Sequence, residues 1–267
     1  MSKNWTSNVS KWLYPLVLIL AFFAAWELAS VQGWITKSLF SSPSEIFSQL
    51  SRMHTRKLPE QSVLWAHIWE TLKRLFWATI IGTLLGGIVG GAMGLSGRVY
   101  RFLDPLITVI MPIPGIALAP LFIVWLGFGD TTVVAVGAIA TFFPVAYNTA
   151  AGVRTVDEQL VRAAQIMGAS QISTILNVHL PWSMAYMLLG IKLGLARGWR
   201  TVVAVELIAA TNWGLGYMIW DAAEYLRAGL VYGGIIIMII VYFVIERGFL
   251  DLIEKNTLVK WGMLNDK

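Results

Sequence analysis

The sequence predicts an all-α protein that crosses a membrane six times, and three observations carry that prediction. Of its 267 residues, 57% are hydrophobic and 13% charged, about half the charged share of a soluble domain. The apolar residues come in long uncharged runs, each near the roughly 20 residues a helix needs to span hydrocarbon. Between the fourth and fifth runs lies one long polar stretch, Arg154 to Pro181, patterned as helix, glycine, helix.

The first span is expected at Trp12–Ile35, interrupted only by Glu27 near its far end. Lys3 and Lys11 precede it as in a signal peptide, but no Ala-x-Ala site follows, so it reads as an uncleaved span. Ser38 to Glu60 is more polar and holds Pro43 and Pro59, which suits a surface segment or interfacial helix. Runs at Leu75–Gly97, Pro105–Gly129, Thr131–Val153, Pro181–Ala210 and Ala228–Ile245 supply five further spans. The expected organisation is an N-terminal span with its interfacial segment (1–62), a core (63–250) that includes the polar stretch 154–180, and a tail (251–267).

Basic residues set the orientation. One side would hold Lys3, Lys11, Arg98, Arg101, Arg154, Arg162, Arg247, Lys255, Lys260 and Lys267; the other would hold Lys37, Arg52, Arg56, Lys57 and Arg227. Lys73, Arg74, Lys192, Arg197 and Arg200 fall at or within spans and are left out of the count. The excess puts both termini, and the polar stretch with them, in the cytoplasm. The net charge of +5 is then a topology signal and not a nucleic-acid footprint.

Within the spans, three features stand out. The second carries Gly82, Gly86, Gly90 and Gly94 at four-residue intervals, a smooth strip that lets another helix backbone approach closely. In the third, Met111-Pro112-Ile113-Pro114-Gly115 lies about 15 Å from its start at 1.5 Å per residue. Each interior proline frees a carbonyl one turn back, and inside a membrane such groups must line a cavity or pack within protein. Pro120 is expected to end or kink the same span before a tight turn at Gly127–Asp130. The fifth span holds Lys192, Arg197, Arg200 and Glu206 in or beside apolar sequence. Charges there need a partner or water: the cations greet an anion, or form salt bridges with Glu206, Asp221 or Glu224.

The polar stretch reads as two short helices. Thr155 and Glu158 fit a capping box, Gly168 can end the first helix in the left-handed conformation, and Ser170 can cap the second. Pro181 is expected to close the unit by biasing Leu180 away from helix. A docking surface and an ordinary connecting loop both suit this pattern.

Several chemistries are excluded. The chain has no cysteine and three histidines, His54, His67 and His179, too few for a metal cluster, and a haem anchor would need facing histidines. It has no Gly-x-x-x-x-Gly-Lys-Ser/Thr loop, so it does not itself hold a nucleotide that way, and no His-Glu-x-x-His or Gly-x-Ser-x-Gly. A membrane enzyme is therefore not expected. A stand-alone secondary carrier stays open as an alternative, although it would more often show two matched broken spans and one is visible here.

Arg162-Ala163-Ala164, three residues, Gly168, nine residues and Val178-His179-Leu180-Pro181 resemble the permease signature of bacterial binding-protein-dependent ABC importers: Glu-Ala-Ala, three residues, Gly, nine residues, Ile-x-Leu-Pro. Arg162 replaces Glu and Val178 replaces Ile. Pro114 to Leu121, Trp125 to Gly129, Phe142 to Pro144 with Asn148-Thr149, Gly198-Trp199 and Glu206 to Gly216 are similar to the nitrate/sulfonate/taurine branch, above all its taurine and alkanesulfonate members.

The resemblance implies a type I ABC importer permease in the bacterial inner membrane, working as a homodimer. Two separate ATP-binding cassette subunits would bind the ATP and Mg, so this chain needs no cofactor, and a periplasmic binding protein would deliver a small anion. That anion would be taurine or an alkanesulfonate; nitrate, bicarbonate, an aromatic carboxylate or a pyrimidine precursor are the alternatives. It implies a cytoplasmic coupling helix built from Glu158, Arg162, Ala163, Ala164, Gly168, Ala169, Ser170, Leu180 and Pro181. The translocation path is expected along Met111, Pro112, Pro114, Arg197, Trp199, Arg200 and Glu206.

Overall fold

The computed structural model describes residues 4–34, 36, 40–56 and 62–250; the expected tail at 251–267, with Lys3, Ile35, Lys37, Lys57, Pro59 and Glu60, lies outside them. The described residues form helices and contain no β-strand: α1 (Asn4–Val31), α2 (Pro43–Thr55), α3 (Val63–Leu95), α4 (Gly97–Ile110), α5 (Gly115–Leu126), α6 (Asp130–Arg154), α7 (Glu158–Ile166), α8 (Gln171–Thr174), α9 (Leu180–Ala209), α10 (Leu215–Glu224) and α11 (Ala228–Ile245). Four stretches are long and apolar enough to cross a membrane: Val63–Leu95, Asp130–Arg154, Gln171–Ala209 and Ala228–Gly248. Helices α4 and α5 are long and apolar enough only as a pair, bent by 99°, which fits a broken span or a re-entrant loop. The sixth expected span falls on α1, whose described apolar part, Val17–Val31, is shorter than a crossing.

Two compact units share the chain, and each is a folding neighbourhood of its own. The smaller comprises Met1–Ala66 and Met218–Met238. Here the lone acid of the first span has a clear use: Glu27 accepts the Ser44 N–H at 3.0 Å and the Ser44 hydroxyl at 2.7 Å. Ser42 caps α2 by accepting the Glu45 N–H at 3.2 Å, and Pro43 stands at the first helical position, where its missing N–H is harmless. Trp26, Phe40 and Tyr232 form an aromatic cluster with centroids 5.3–6.1 Å apart.

The larger unit comprises His67–Tyr217 and Ile239–Lys267 and is built around α6. Buried positions on α6 are mostly small: Gly137, Ala138, Ala140, Thr141, Ala146, Thr149, Ala150 and Gly152. That composition lets backbones on both sides come close where lipid supplies no hydrophobic drive. On one side lies the glycine strip of α3. A Cβ on Gly82 would sit 2.6 Å from the Ala138 carbonyl oxygen, and one on Gly86 would sit 2.8 Å from that of Phe142; Gly90 faces Ala146 and Thr149, and Gly94 faces Val153. Numbers rise together along both helices, so α3 and α6 run parallel. On the other side, Gly198 and Gly194 of α9 meet Thr141, Gly190 meets Asn148, and Gly152 of α6 meets Tyr186, so α9 runs antiparallel to α6. Met93 of α3, Ile107 of α4 and Ala150 of α6 form a buried apolar cluster.

Three local expectations change. The third span begins earlier than Pro105: α4 starts at Gly97, and Pro105 and Pro120 lie inside continuous helices. The break is instead confined to residues 111–114. Pro181 does not close the polar stretch either. Leu180 is helical, with φ −64° and ψ −52°, and donates its N–H to the Ile175 carbonyl five residues back. The π-turn at Ile175–His179 widens the helix just before the proline, and helix runs from Gln171 to Ala209. Such a bulge can relieve the steric demand of a ring that lacks an N–H. Finally, Thr155 does not form a capping box. It still belongs to the end of α6, with its hydroxyl donating to the Gly152 carbonyl at 2.8 Å, so the cap of α7 passes to Asp157, which accepts the Gln159 N–H at 2.8 Å.

Candidate translocation and coupling elements

The elbow between α4 and α5 has a simple origin. Pro112 and Pro114 each lack the N–H that would continue the helix, and Pro114 takes φ −60° and ψ 131°, outside the helical region. Helix resumes at Gly115, with the Ala117 N–H donating to the Pro114 carbonyl at 2.9 Å. Pro112, Ile113 and Pro114 are exposed. Gly115 seats the elbow on α9: a Cβ there would lie 2.7 Å from the Thr201 hydroxyl oxygen.

That contact brings two expected path elements together, because Thr201 directly follows Arg200. Arg200 is exposed and Arg197 half-buried, on a face of α9 that also exposes Trp182, Tyr186, Leu189 and Leu193. Trp199 turns the other way. It is buried and lies against Tyr242 with ring centroids 6.0 Å apart.

Glu206 lies in a different setting. It is 0% exposed and takes part in a closed network with Arg74, which is 3% exposed. Arg74 Nη1 donates to Glu206 Oε1 at 2.7 Å and to the Trp213 carbonyl at 2.6 Å; Nε and Nη2 donate to Asp130 Oδ1 at 2.8 and 2.6 Å. The Thr71 hydroxyl donates to Glu206 and itself accepts the Leu215 N–H at 2.8 Å, while Glu206 Oε2 accepts the Gly216 N–H at 3.0 Å. His67 Nδ1 lies 2.9 Å from the Gly214 carbonyl oxygen and 3.2 Å from the Gly214 N–H. The first two N–H groups of α10, those of Leu215 and Gly216, are thus satisfied by side chains, with a carboxylate at the positive end of the helix. Gly214, at φ +144°, permits the turn. Nearer the surface, Lys73 pairs with Glu70 at 2.5 Å and approaches Asp130 at 3.8 Å.

Sequence reasoning missed His67, Thr71 and Arg74. Their spacing was a usable signal, since positions 67, 71 and 74 share one helix face and an arginine inside a span requires a partner.

The stretch between α6 and α9 is shaped at its glycine. Gly168 takes φ +85°; its N–H bonds the Gln165 carbonyl at 2.9 Å, and the Ala169 N–H bonds that of Ala164 at 3.0 Å. This pair of bonds is the Schellman motif, and it brings Ala169 back over Ala164, which is buried, while Ala163 stays exposed. Ser170 then caps α8 by accepting the Ser173 N–H at 3.2 Å. Glu158 and Arg162, both exposed, pair at 2.7 Å. Ile166 and Met167, at the elbow, are 87% and 82% exposed, and Ile172 beyond it is exposed as well.

Glycine-lined packing of several apolar helices, a helix break beside the exposed Arg200 and a helical elbow outside the apolar runs define a polytopic membrane component. Residues 78–255 match the family described as "Binding-protein-dependent transport system inner membrane component", and the chain belongs to that family. It is 35% identical over 256 residues to the taurine transport system permease protein TauC of Escherichia coli strain K12, covering 92% of each chain. It is 31% identical over 250 residues to SsuC of Bacillus subtilis strain 168, a permease protein named for aliphatic sulfonates transport, covering 94% of this chain and 88% of that one. In solved structures, a chain of the MetNI methionine ABC transporter superposes with a TM-score of 0.62 at 19% identity, covering 73% of this chain and 95% of that one. The all-α permease fold and the multi-pass inner-membrane location stand.

Proposed function

We propose that two copies of this chain form the transmembrane pathway of an ATP-driven importer for a small anion of the taurine or alkanesulfonate type. A periplasmic binding protein delivers the anion, and two ATP-binding cassette subunits dock at the 154–180 elbow. Both termini and that elbow face the cytoplasm, as the distribution of basic residues favours. The reading is supported above all by the exposed Arg200 guanidinium on the α9 face beside the Met111–Pro114 elbow. A cation exposed within a span is costly against lipid, so this face belongs to a second copy and a watered path.

Coupling follows from differential binding. ATP closes the ATPase pair, and the docked elbows favour one access state of the permease over the other. The Schellman turn at Gly168 keeps the docked helices at a fixed angle, and Ile166, Met167 and Ile172 offer the apolar contact. Glu158, Arg162, Ala163, Ala164, Ala169, Ser170, Leu180 and Pro181 complete the element. Met111, Pro112, Pro114, Arg197 and Arg200 line the path, with Trp199 bracing α9 from behind and Glu206 fixed by Arg74.

The test is uptake into proteoliposomes holding this chain, its ATPase and its binding protein, with taurine, alkanesulfonates, nitrate and bicarbonate as competing substrates. ATP-dependent uptake of a sulfonate is expected. Transport by the chain alone, without ATPase or binding protein, would show a secondary carrier instead.

A further inference from the structure

We propose that Arg74 is a positioning residue for transport, which holds the Ala210–Gly216 loop and the Gly127–Asp130 turn against α3 as one block. The inference rests on the importer reading above but is carried by a separate site. Its guanidinium is divided among three elements: Asp130 at the start of α6, Glu206 near the end of α9 and the Trp213 carbonyl of the loop. The Gly129 N–H adds a bond to the Ala209 carbonyl at 2.8 Å, so the turn and the loop meet directly as well.

Two features separate this arrangement from a chance ion pair. First, the loop is secured at consecutive residues by different side chains of one α3 face: the Trp213 carbonyl by Arg74, the Gly214 backbone by His67 Nδ1 and the Leu215 N–H by Thr71. Second, the glycines leave no slack. A Cβ on Gly214 would lie 2.6 Å from Arg74 Nη1, and one on Gly216 would lie 2.7 Å from the Glu206 Cβ. Thr211 and Asn212, by contrast, are exposed. The loop therefore presents its tip while its stem is clamped, and the clamp centres on a buried arginine bonded through all three of its nitrogens.

Removing one member of a buried ion pair strands the other charge and is strongly destabilising, whereas removing both is often tolerated. The decisive variant is therefore the double neutralisation Arg74→Gln with Glu206→Gln, which strands no buried charge, since Asp130 is half-exposed and keeps Lys73 at 3.8 Å. Asp130→Asn is the milder companion, since Asp130 is half-exposed and its loss leaves Arg74 paired. Because the chain has no cysteine, a spin label on Asn212→Cys reports the loop alone.

In the reconstituted importer, the double variant is expected to reach the membrane yet transport several-fold more slowly per molecule. The Asn212 label should become markedly more mobile, while Asp130→Asn shows both effects in weaker form. Native uptake per molecule in the double variant would overturn the proposal, because the network would then only solvate its own charges. Slower uptake with an unchanged label would overturn it too, because Arg74 would then act elsewhere than on the loop. If the double variant fails to accumulate, Asp130→Asn decides: native uptake with an unmoved label sinks the idea. The label measurement needs no substrate, so it stands apart from any failure of the importer reading.

Discussion

Gly115, the first residue of α5, abuts Thr201 of α9 so closely that a Cβ on the glycine would lie 2.7 Å from the threonine hydroxyl oxygen. The nearest atoms belong to the Thr201 side chain and not to backbone, so the fit can be relieved from the other side. Gly115→Ala is expected to displace the elbow, destabilise the protein by about 1–3 kcal/mol as overpacking does and slow uptake. Adding Thr201→Ala, which deletes the clashing atoms, should restore both melting temperature and transport. No recovery in the double variant would mean that the elbow does not depend on this contact.

The α3 glycines contain their own control. Gly86 faces the Phe142 carbonyl and Val145, while Gly87 beside it has nothing within 4 Å of an added Cβ. Gly86→Val should cost about 1–3 kcal/mol and lower the yield of folded protein in the membrane. Gly87→Val should be close to neutral. Equal behaviour of the two in a thermal unfolding assay would deny that this strip packs against α6.

How much of this could be seen in the sequence depends on how far apart the interacting groups lie. The spans, the α3 glycine strip and the elbow at Met111–Gly115 are local patterns, and their physical causes act within one or two turns. Gly168 and Ser170 were legible for the same reason. The Arg74 network was not, because it joins positions separated by 56 and 132 residues, and charge alone offered Glu206 the arginines of its own helix, Arg197 and Arg200. Trp199 and Glu206 were expected along the path, and both side chains are buried within the chain, which composition does not announce. The failure at Pro181 is different in kind: the rule that proline stops a helix is local, but the π-turn before it supplies a local escape that residue preference does not announce.

Gly168 tests the coupling element through backbone geometry alone. Its φ is +85° and nothing lies within 4 Å of an added Cβ, so a substitution there meets strain but no clash. Gly168→Ala is expected to raise the energy of the turn by about 1–2 kcal/mol, and Gly168→Asn by less, because asparagine tolerates this region. Membrane yield should hold in both. The ratio of uptake to ATP hydrolysis should fall for alanine, further for valine, and least for asparagine. A ratio that ignores this order would remove Gly168 from coupling.

Arg200 tests the path. One charge-assisted hydrogen bond to a passing anion is worth about 1.5–3 kcal/mol, so Arg200→Gln should slow uptake by about tenfold or more with ATPase activity retained. Arg200→Lys should recover part of it by keeping the charge. Arg197, half-buried beside it, should show a smaller effect in the same direction. Uptake of a sulfonate at the native rate in Arg200→Gln would take this side chain out of the path.

Arg162 is, with Val178, one of two positions at which this chain departs from the signature it otherwise carries, and its geometry separates stability from recognition. It pairs with Glu158 one turn earlier on α7, both side chains being exposed. An exposed pair of this spacing contributes about 0.3–0.5 kcal/mol, too little to decide whether the helix forms, since Asp157 already caps it and the Schellman bonds close its other end. Arg162→Ala should therefore leave the melting temperature nearly unchanged. If α7 docks on an ATPase subunit through this face, the same variant should weaken co-purification of that subunit and lower substrate-stimulated hydrolysis, and Arg162→Glu should do so more strongly by reversing the charge offered to the partner. Intact co-purification of the ATPase with Arg162→Glu would place the recognition on the apolar residues Ile166, Met167 and Ile172 alone.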